Sequence, residues 1–223
     1  MSRTFAVGDI HGCDTALDVL LGKLRLTSQD TFVVLGDYVD RGPGTRQVIE
    51  RLIELQEACN LVHLMGNHEE LMLESLFRGQ SSMVWLQNGG LEALNSYGVG
   101  PGAIPKSHVE FLKSGRDYWE SETDICVHAK LDYDLPLDVQ TPDVLRWLKL
   151  TGHEPPHSSG RRVICGHTPQ MSGLPKVFDG WVCLDTAACK GGWLTALNLE
   201  TNELFQSQQG GEYRDMSLDE LKA

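Results

Sequence analysis

The chain has 223 residues, 41% hydrophobic and 22% charged, which suits one soluble domain, or one with an insertion, large enough to bury a core without staples. Its 19 Lys and Arg against 31 Asp and Glu leave a formal charge of −12, which disfavours a general DNA or RNA binder but not a local basic pocket. No run of about 18 apolar residues is present, so no membrane span is expected.

A strand is expected at residues 4–7, too early for a secretory leader to precede it, and a cytoplasmic location follows as an expectation. The six cysteines form no Cys-x-x-Cys pair and read as buried thiols of a reducing compartment, with disulfides or a thiolate zinc site as the minor alternatives. Residues 15–26 carry Leu17, Leu20, Leu21 and Leu24 at helical spacing. Residues 31–35 form a continuous apolar run, which suits a strand buried on both faces. A helix over 43–55 with Pro43 in its first turn, a strand over 61–65 and a helix capped by Asn67 complete three β-α repeats. Such repeats predict a parallel sheet with right-handed crossovers.

Residues 78–116 or so hold Trp85, Asn88-Gly89-Gly90 and a Pro101-Gly102 turn, and read as a mainly helical insertion over one rim of the sheet. Strands follow at 124–127, 163–165, 176–178, 181–184, 194–199 and 203–206, with hairpin turns at Asp179-Gly180 and Glu200-Thr201-Asn202. The expected fold is α/β, two packed mixed sheets flanked by helices, in a single domain over 1–206. Residues 207–223 are expected to be a polar, frayed tail.

The chemistry gathers where strands end. Gly8-Asp9-Ile10-His11-Gly12 follows the first strand and Gly36-Asp37-Tyr38-Val39-Asp40-Arg41-Gly42 the second. Gly66-Asn67-His68-Glu69 follows the third, and two later strands end in Val127-His128 and Gly166-His167. Ligands of open α/β sheets sit beyond the carboxyl ends of the strands, so these turns converge on one site. A lone Asp-Gly or Gly-Asn is usually only a turn, but ligand-type residues at the same end of five strands are not chance. Carboxylate, imidazole and amide oxygen suit manganese, iron, zinc or magnesium. Asp9 and His11 can face one metal, Asp37 can bridge two, and Asn67, His128 and His167 can complete the second. Two metals about 3.5–4 Å apart stabilise in-line displacement at phosphorus and hold a nucleophilic hydroxide. His63, His108, His153 and His157 read as structural or surface histidines.

These blocks resemble the metallophosphoesterases of the phosphoprotein phosphatase family: Gly-Asp-x-His-Gly, Gly-Asp-x-Val-Asp-Arg-Gly and Gly-Asn-His-Glu, then two separate histidines. More narrowly, Trp85-Leu86-Gln87-Asn88-Gly89-Gly90, Val127-His128-Ala129, Gly166-His167-Thr168-Pro169 and Leu184-Asp185-Thr186 are similar to the small bacterial and bacteriophage-lambda-type protein phosphatases. The resemblance implies the calcineurin-like fold. It implies Asp9, His11 and Asp37 on one divalent metal and Asp37, Asn67, His128 and His167 on another. Manganese is the first expectation, with iron, zinc, magnesium, nickel or cobalt as alternatives. It implies His68 as general acid oriented by Asp40, and Arg41 with Asn67 on the substrate phosphate. That group carries a second phosphate-binding arginine in a Trp-x-Arg element, whereas this chain reads Trp147-Leu148-Lys149. Lys149 is therefore the candidate in its place, with Arg146, Arg161 and Arg162 as competitors. Lys130 follows His128-Ala129 where the family has glycine or an acid, and reads as a solvated lysine or a new phosphate contact. Ala187-Ala188 stands where Gly-Ala is usual.

The expected function is metal-dependent phosphomonoester hydrolysis. Phosphoserine or phosphothreonine in a phosphoprotein or phosphopeptide leads, with phosphotyrosine and small phosphomonoesters also accepted. The alternatives are a dinucleoside tetraphosphatase and, at lower weight, a catalytically weak metal- or phosphoprotein-binding module. No nucleic acid or membrane partner is expected.

Overall fold

The computed structural model describes residues 2–78, 82–98 and 103–222. Strands β1 (Thr4–Val7), β2 (Thr31–Val34) and β3 (Asn60–His63) pair in parallel. Helices α1 (Asp14–Leu24) and α2 (Thr45–Ala58) make the crossovers, and α3 (Asn67–Arg78) follows β3. Pro43 lies before α2 rather than in its first turn, because Gly44 is the cap and the chain is still turning around the site at that point.

The insertion holds α4 (Ser82–Trp85), a π-type turn over Leu86–Gly90, α5 (Leu91–Ser96) and α6 (Lys106–Lys113). The expected Pro101-Gly102 turn lies outside the described residues. Beyond it come β4 (Tyr118–Glu120), β5 (Asp124–Val127), α7 (Pro142–Trp147), β6 (Arg162–Cys165), β7 (Lys176–Phe178) and β8 (Trp181–Cys183). Then come β9 (Leu194–Asn198), β10 (Glu203–Ser207) and β11 (Tyr213–Ser217). One sheet has the order β11-β10-β9-β1-β2-β3 and the other β4-β5-β6-β8-β7.

Side-chain alternation explains why the sheets stack. Phe5 and Val7 face the helices while Ala6 faces the second sheet, and Phe32, Val33 and Val34 alternate likewise. From the other side Cys126, Ile164 and Val182 enter the same inter-sheet layer. Their neighbours Ile125, Val127, Val163, Cys165, Trp181 and Cys183 line the outer layer with Leu145 and Leu150. Each large side chain buried this way contributes about 1.5–3 kcal/mol. Five cysteines are buried thiols and Cys189 is half-buried.

Residues 207–222 are not frayed. β11 pairs antiparallel with β10, and a short 3-10 turn follows it. Polar anchors hold it where apolar alternation is missing: Arg214 donates to Gln206 and to the Gly173 carbonyl and covers the Trp193 ring, and Leu218 enters the inter-sheet core.

Candidate metal centre

The strand ends deliver the site. β1, β2, β5, β6 and β8 stop just short of Asp9, Asp37, His128, His167 and Asp185, and α3 opens on Asn67-His68. His11, Asp37, Asp40, Arg41, His167 and Ala187 all have positive φ, a region that side chains enter only when their surroundings hold them there. Gly36 and Gly66 pack so closely on His128 and Asp37 that a Cβ at either would collide with them.

Asp37 is central and fully buried. Its Oδ2 lies 3.5 Å from His11 Nε2 and 3.9 Å from His68 Nε2, and its Oδ1 lies 3.3 Å from His128 Nε2. Two groups of ligand atoms result, His11-Asp37-His68 and Asp37-His128-His167, each within 4.8 Å throughout. Asn67 Oδ1 joins the second group, 3.1 Å from His128 Nε2. Asp9 is buried but stands outside both groups, its carboxylate accepting the His167 backbone N–H.

The protonation pattern fits metal ions. The Nδ1–H groups of His11 and His128 donate to the carbonyls of Val39 and Leu35, and His167 Nε2–H donates to that of Trp147. A carbonyl can only accept, so these bonds fix the tautomers and leave a lone pair on each remaining nitrogen, turned inward. His128 Nε2 and His167 Nδ1 then face each other at 3.2 Å, an arrangement that a cation resolves. Burial pushes the pKa of His11 down to about 3, that of His167 to about 4 and that of His128 below its ordinary value, so all three are neutral at pH 7, the form in which an imidazole can bind a metal. Burial opposes ionisation of Asp37, but His128, His68 and His11 outweigh it and hold the carboxylate below its usual range. Burial, then Asp185 and Asp37, pushes Asp9 up, and burial pushes Asp185 up to about 6. A site with this many buried carboxylates is one that positive charge relieves.

His68 of the first group also forms an acid–base pair with Asp40. His68 Nδ1 is 2.7 Å from Asp40 Oδ2, and the other Asp40 oxygen accepts Trp85 Nε1–H at 2.9 Å. Burial works against the His68 imidazolium, but Asp37 and Asp40 outweigh it and raise its pKa. Arg41 Nη1 donates to His11 Nε2 at 2.6 Å, which places the guanidinium at the edge of the first group.

Residues 2–172 match the calcineurin-like phosphoesterase family. The chain belongs to the calcineurin-like phosphoesterases. It is 26% identical to the symmetrical bis(5'-nucleosyl)-tetraphosphatase of Neisseria meningitidis serogroup A / serotype 4A, over 93% of this chain and 96% of that one. It is 38% identical to serine/threonine-protein phosphatase 1 of Salmonella typhimurium, over 40% of this chain and 39% of that one. The cold-active protein-tyrosine phosphatase of a psychrophilic Shewanella species shares the fold, with a TM-score of 0.66 and 18% identity over 96% of this chain and 80% of that one.

In this phosphoesterase the competing cations separate clearly. Arg161 pairs with Glu120, and Arg162 pairs with Asp124, both at the start of β6 and so at the opposite end from the site. Arg146 is held by Glu70 and Asp117. Lys149 is exposed, and its charge bears on His167. Lys130 pairs with Glu154 at 3.6 Å, so it is neither solvated alone nor free for phosphate.

Three supports were not read from the sequence. Glu69 accepts the backbone N–H groups of Asp37, Tyr38, Val39 and Gly66, which fixes the loop that carries Asp37. Trp85 holds Asp40, as described above. The third is the Trp147 carbonyl, which orients His167 while the indole N–H donates to Glu70. A tryptophan in a polar insertion was the one available signal. A groove of about 760 Å³ lies at the other end of the sheets among Thr4, Asp124, Arg162 and Glu200, and shares no residue with the site.

Proposed function

We propose that this chain is a metal-dependent phosphomonoesterase whose main substrates are phosphoserine and phosphothreonine residues of proteins. The observation that carries the reading is the His68–Asp40 pair at 2.7 Å, whose histidine reaches into the first of the two ligand groups. An alkoxide leaving from phosphoserine needs a proton, and a histidine held by a buried carboxylate is suited to give one. A phosphoanhydride leaving group needs that proton far less.

Asp9, His11 and Asp37 would hold one divalent ion, and Asp37, Asn67, His128 and His167 a second, with manganese the first choice. Once bound, the ions supply positive charge against the phosphate oxygens and lower the pKa of water. Arg41 grips the phosphate with its planar fork, and Lys149 adds a single flexible charge from the His167 side. His68 passes its Nε2 proton to the leaving oxygen, and Asp40 holds the ring through Nδ1.

A second reading, hydrolysis of dinucleoside tetraphosphates, is favoured by the match to the Neisseria enzyme along nearly its whole length. One experiment tests both. Chelated protein should be inactive, manganese should restore turnover and magnesium should restore less. With manganese, kcat/KM on a phosphoserine peptide should exceed that on diadenosine tetraphosphate. The reverse order transfers the function to the second reading, and full activity in metal-stripped protein sinks both.

A further inference from the structure

We propose that a groove beside Arg41 selects phosphopeptides carrying one acidic side chain near the phosphorylated residue, with Lys190 as the specificity-determining contact. The inference rests on the phosphomonoesterase reading and adds a recognition rule to it. The groove has a volume of about 590 Å³, and its lining includes Arg41, Leu86, Gln87, Asn88, Leu91 and Lys190. Arg41 belongs both to this lining and to the edge of the metal centre, through its bond to His11, so the groove opens directly off the site.

The wall is preformed. The Arg41 backbone N–H donates to the Gly89 carbonyl at 3.2 Å, and Gly89, at φ 110°, packs so tightly on Arg41 that no Cβ fits there. Asn88 donates its Nδ2–H to the Val84 carbonyl, which leaves its Oδ1 as an acceptor without a partner among the described residues. Across the groove, Lys190 ends a short 3-10 turn that starts after Ala187 at φ 61° and stops at Gly191 at φ 79°. Lys190 is exposed and has no ion pair among the described residues.

The lining favours a peptide. The amides of Gln87 and Asn88 each offer a donor and an acceptor, the complement of a peptide backbone. Leu86 and Leu91 offer apolar surface to a neighbouring side chain. Among the described residues no aromatic ring lines the groove, so a nucleobase finds no stacking partner there. Lys190 is a flexible point charge that a single carboxylate can meet without a fixed geometry. Glu92 lies in the same lining and repels a second acid, which limits the rule to one. In a chain of net charge −12, this cationic edge is where an acidic segment is tolerated.

The test compares phosphoserine peptides that differ only in Asp against Asn, scanned over the positions flanking the phosphoserine. Manganese-loaded full-length protein is used. The readout is the ratio of kcat/KM for the acidic over the neutral peptide. At one position the ratio should reach about fivefold, the size of a partly exposed ion pair, and should shrink with added salt. Lys190→Gln should bring the ratio close to one, Lys190→Arg should keep it, and Lys190→Glu should reverse it in favour of a lysine-containing peptide. A ratio that ignores all three substitutions overturns the proposal. So does a Lys190→Gln variant that loses turnover of diadenosine tetraphosphate with its peptide ratio intact, since the groove would then hold a polyphosphate. Failure of wild-type protein to hydrolyse even the neutral peptide is a different result, and it would bring down the phosphomonoesterase reading itself.

Discussion

Asp40 receives a donor on each oxygen, the His68 imidazole on one and the Trp85 indole on the other. Its carboxyl is fully buried, and burial pushes its pKa up while the two bonds pull it down. Removing the indole donor leaves a buried oxygen unsatisfied, at a cost of about 1–3 kcal/mol, and weakens the hold on His68. Trp85→Phe should therefore lower turnover of phosphoserine about tenfold and turnover of an aryl phosphate much less, since a phenoxide leaves without help. His68→Asn should show the same asymmetry more strongly, by about 10²–10⁴ on phosphoserine, with metal content unchanged. Equal losses on both substrates would remove His68 from the acid's role and Trp85 from its support. The sequence exposed His68 and Asp40 because each sits in a short block at a strand end. It did not expose the roles of Trp85 and Glu69. Trp85 meets its partner from an insertion 45 residues away, and Glu69 is partnered by backbone N–H groups, which no side-chain pattern announces.

At the scale of elements, the β-α repeats were legible because buried strands have continuous apolar runs and the helices keep leucines on one face. β4, with three residues, and β11, whose residues alternate no apolar side chains, gave no such signal. The loop after β8 carries a departure that the sequence marked and the structure explains. Ala187 occupies a left-handed conformation, φ 61° and ψ 41°, where a Cβ costs about 1–2 kcal/mol. Glycine there would relieve that strain and return roughly 0.4–1 kcal/mol through the freer unfolded chain. Ala187→Gly should thus stabilise the protein by about 0.5–1 kcal/mol, a Tm rise of about 1–4 °C for a domain of this size. Ala188→Gly, one residue into the 3-10 turn, should lower Tm. Calorimetry on the pair checks it: if both variants lose stability, Ala187 is not strained.

At the scale of the whole molecule, His63 joins the insertion to the sheet that bears the candidate metal centre. It leaves β3 buried, bonds Tyr38 Oη at 3.2 Å and Ser114 Oγ at 3.3 Å, and stacks on Phe111 of α6 at 4.0 Å between ring centres. Burial pushes its pKa down to about 4, with Arg116 adding to the effect. A base whose folded pKa is lowered binds its proton more readily when unfolded. The stability it contributes is complete above about pH 6.5 and is lost as pH falls towards 4, by as much as roughly 3 kcal/mol. Asp30 acts in the same direction at lower pH: its bond from Arg3 holds the carboxyl below the usual range despite burial, so its contribution survives above about pH 4 and fades beneath it. His11, His128 and His167 add to the acid slope, so it cannot vanish in a single variant. His63→Gln keeps a donor and an acceptor but cannot take up the proton. It should be less stable than wild type at pH 7.5, and its Tm should fall more slowly between pH 6.5 and 4.5, so that the two curves converge. Parallel curves over that range would mean that the insertion is docked by Phe111 and Tyr38 packing alone and that the charge state of His63 does not matter to the fold.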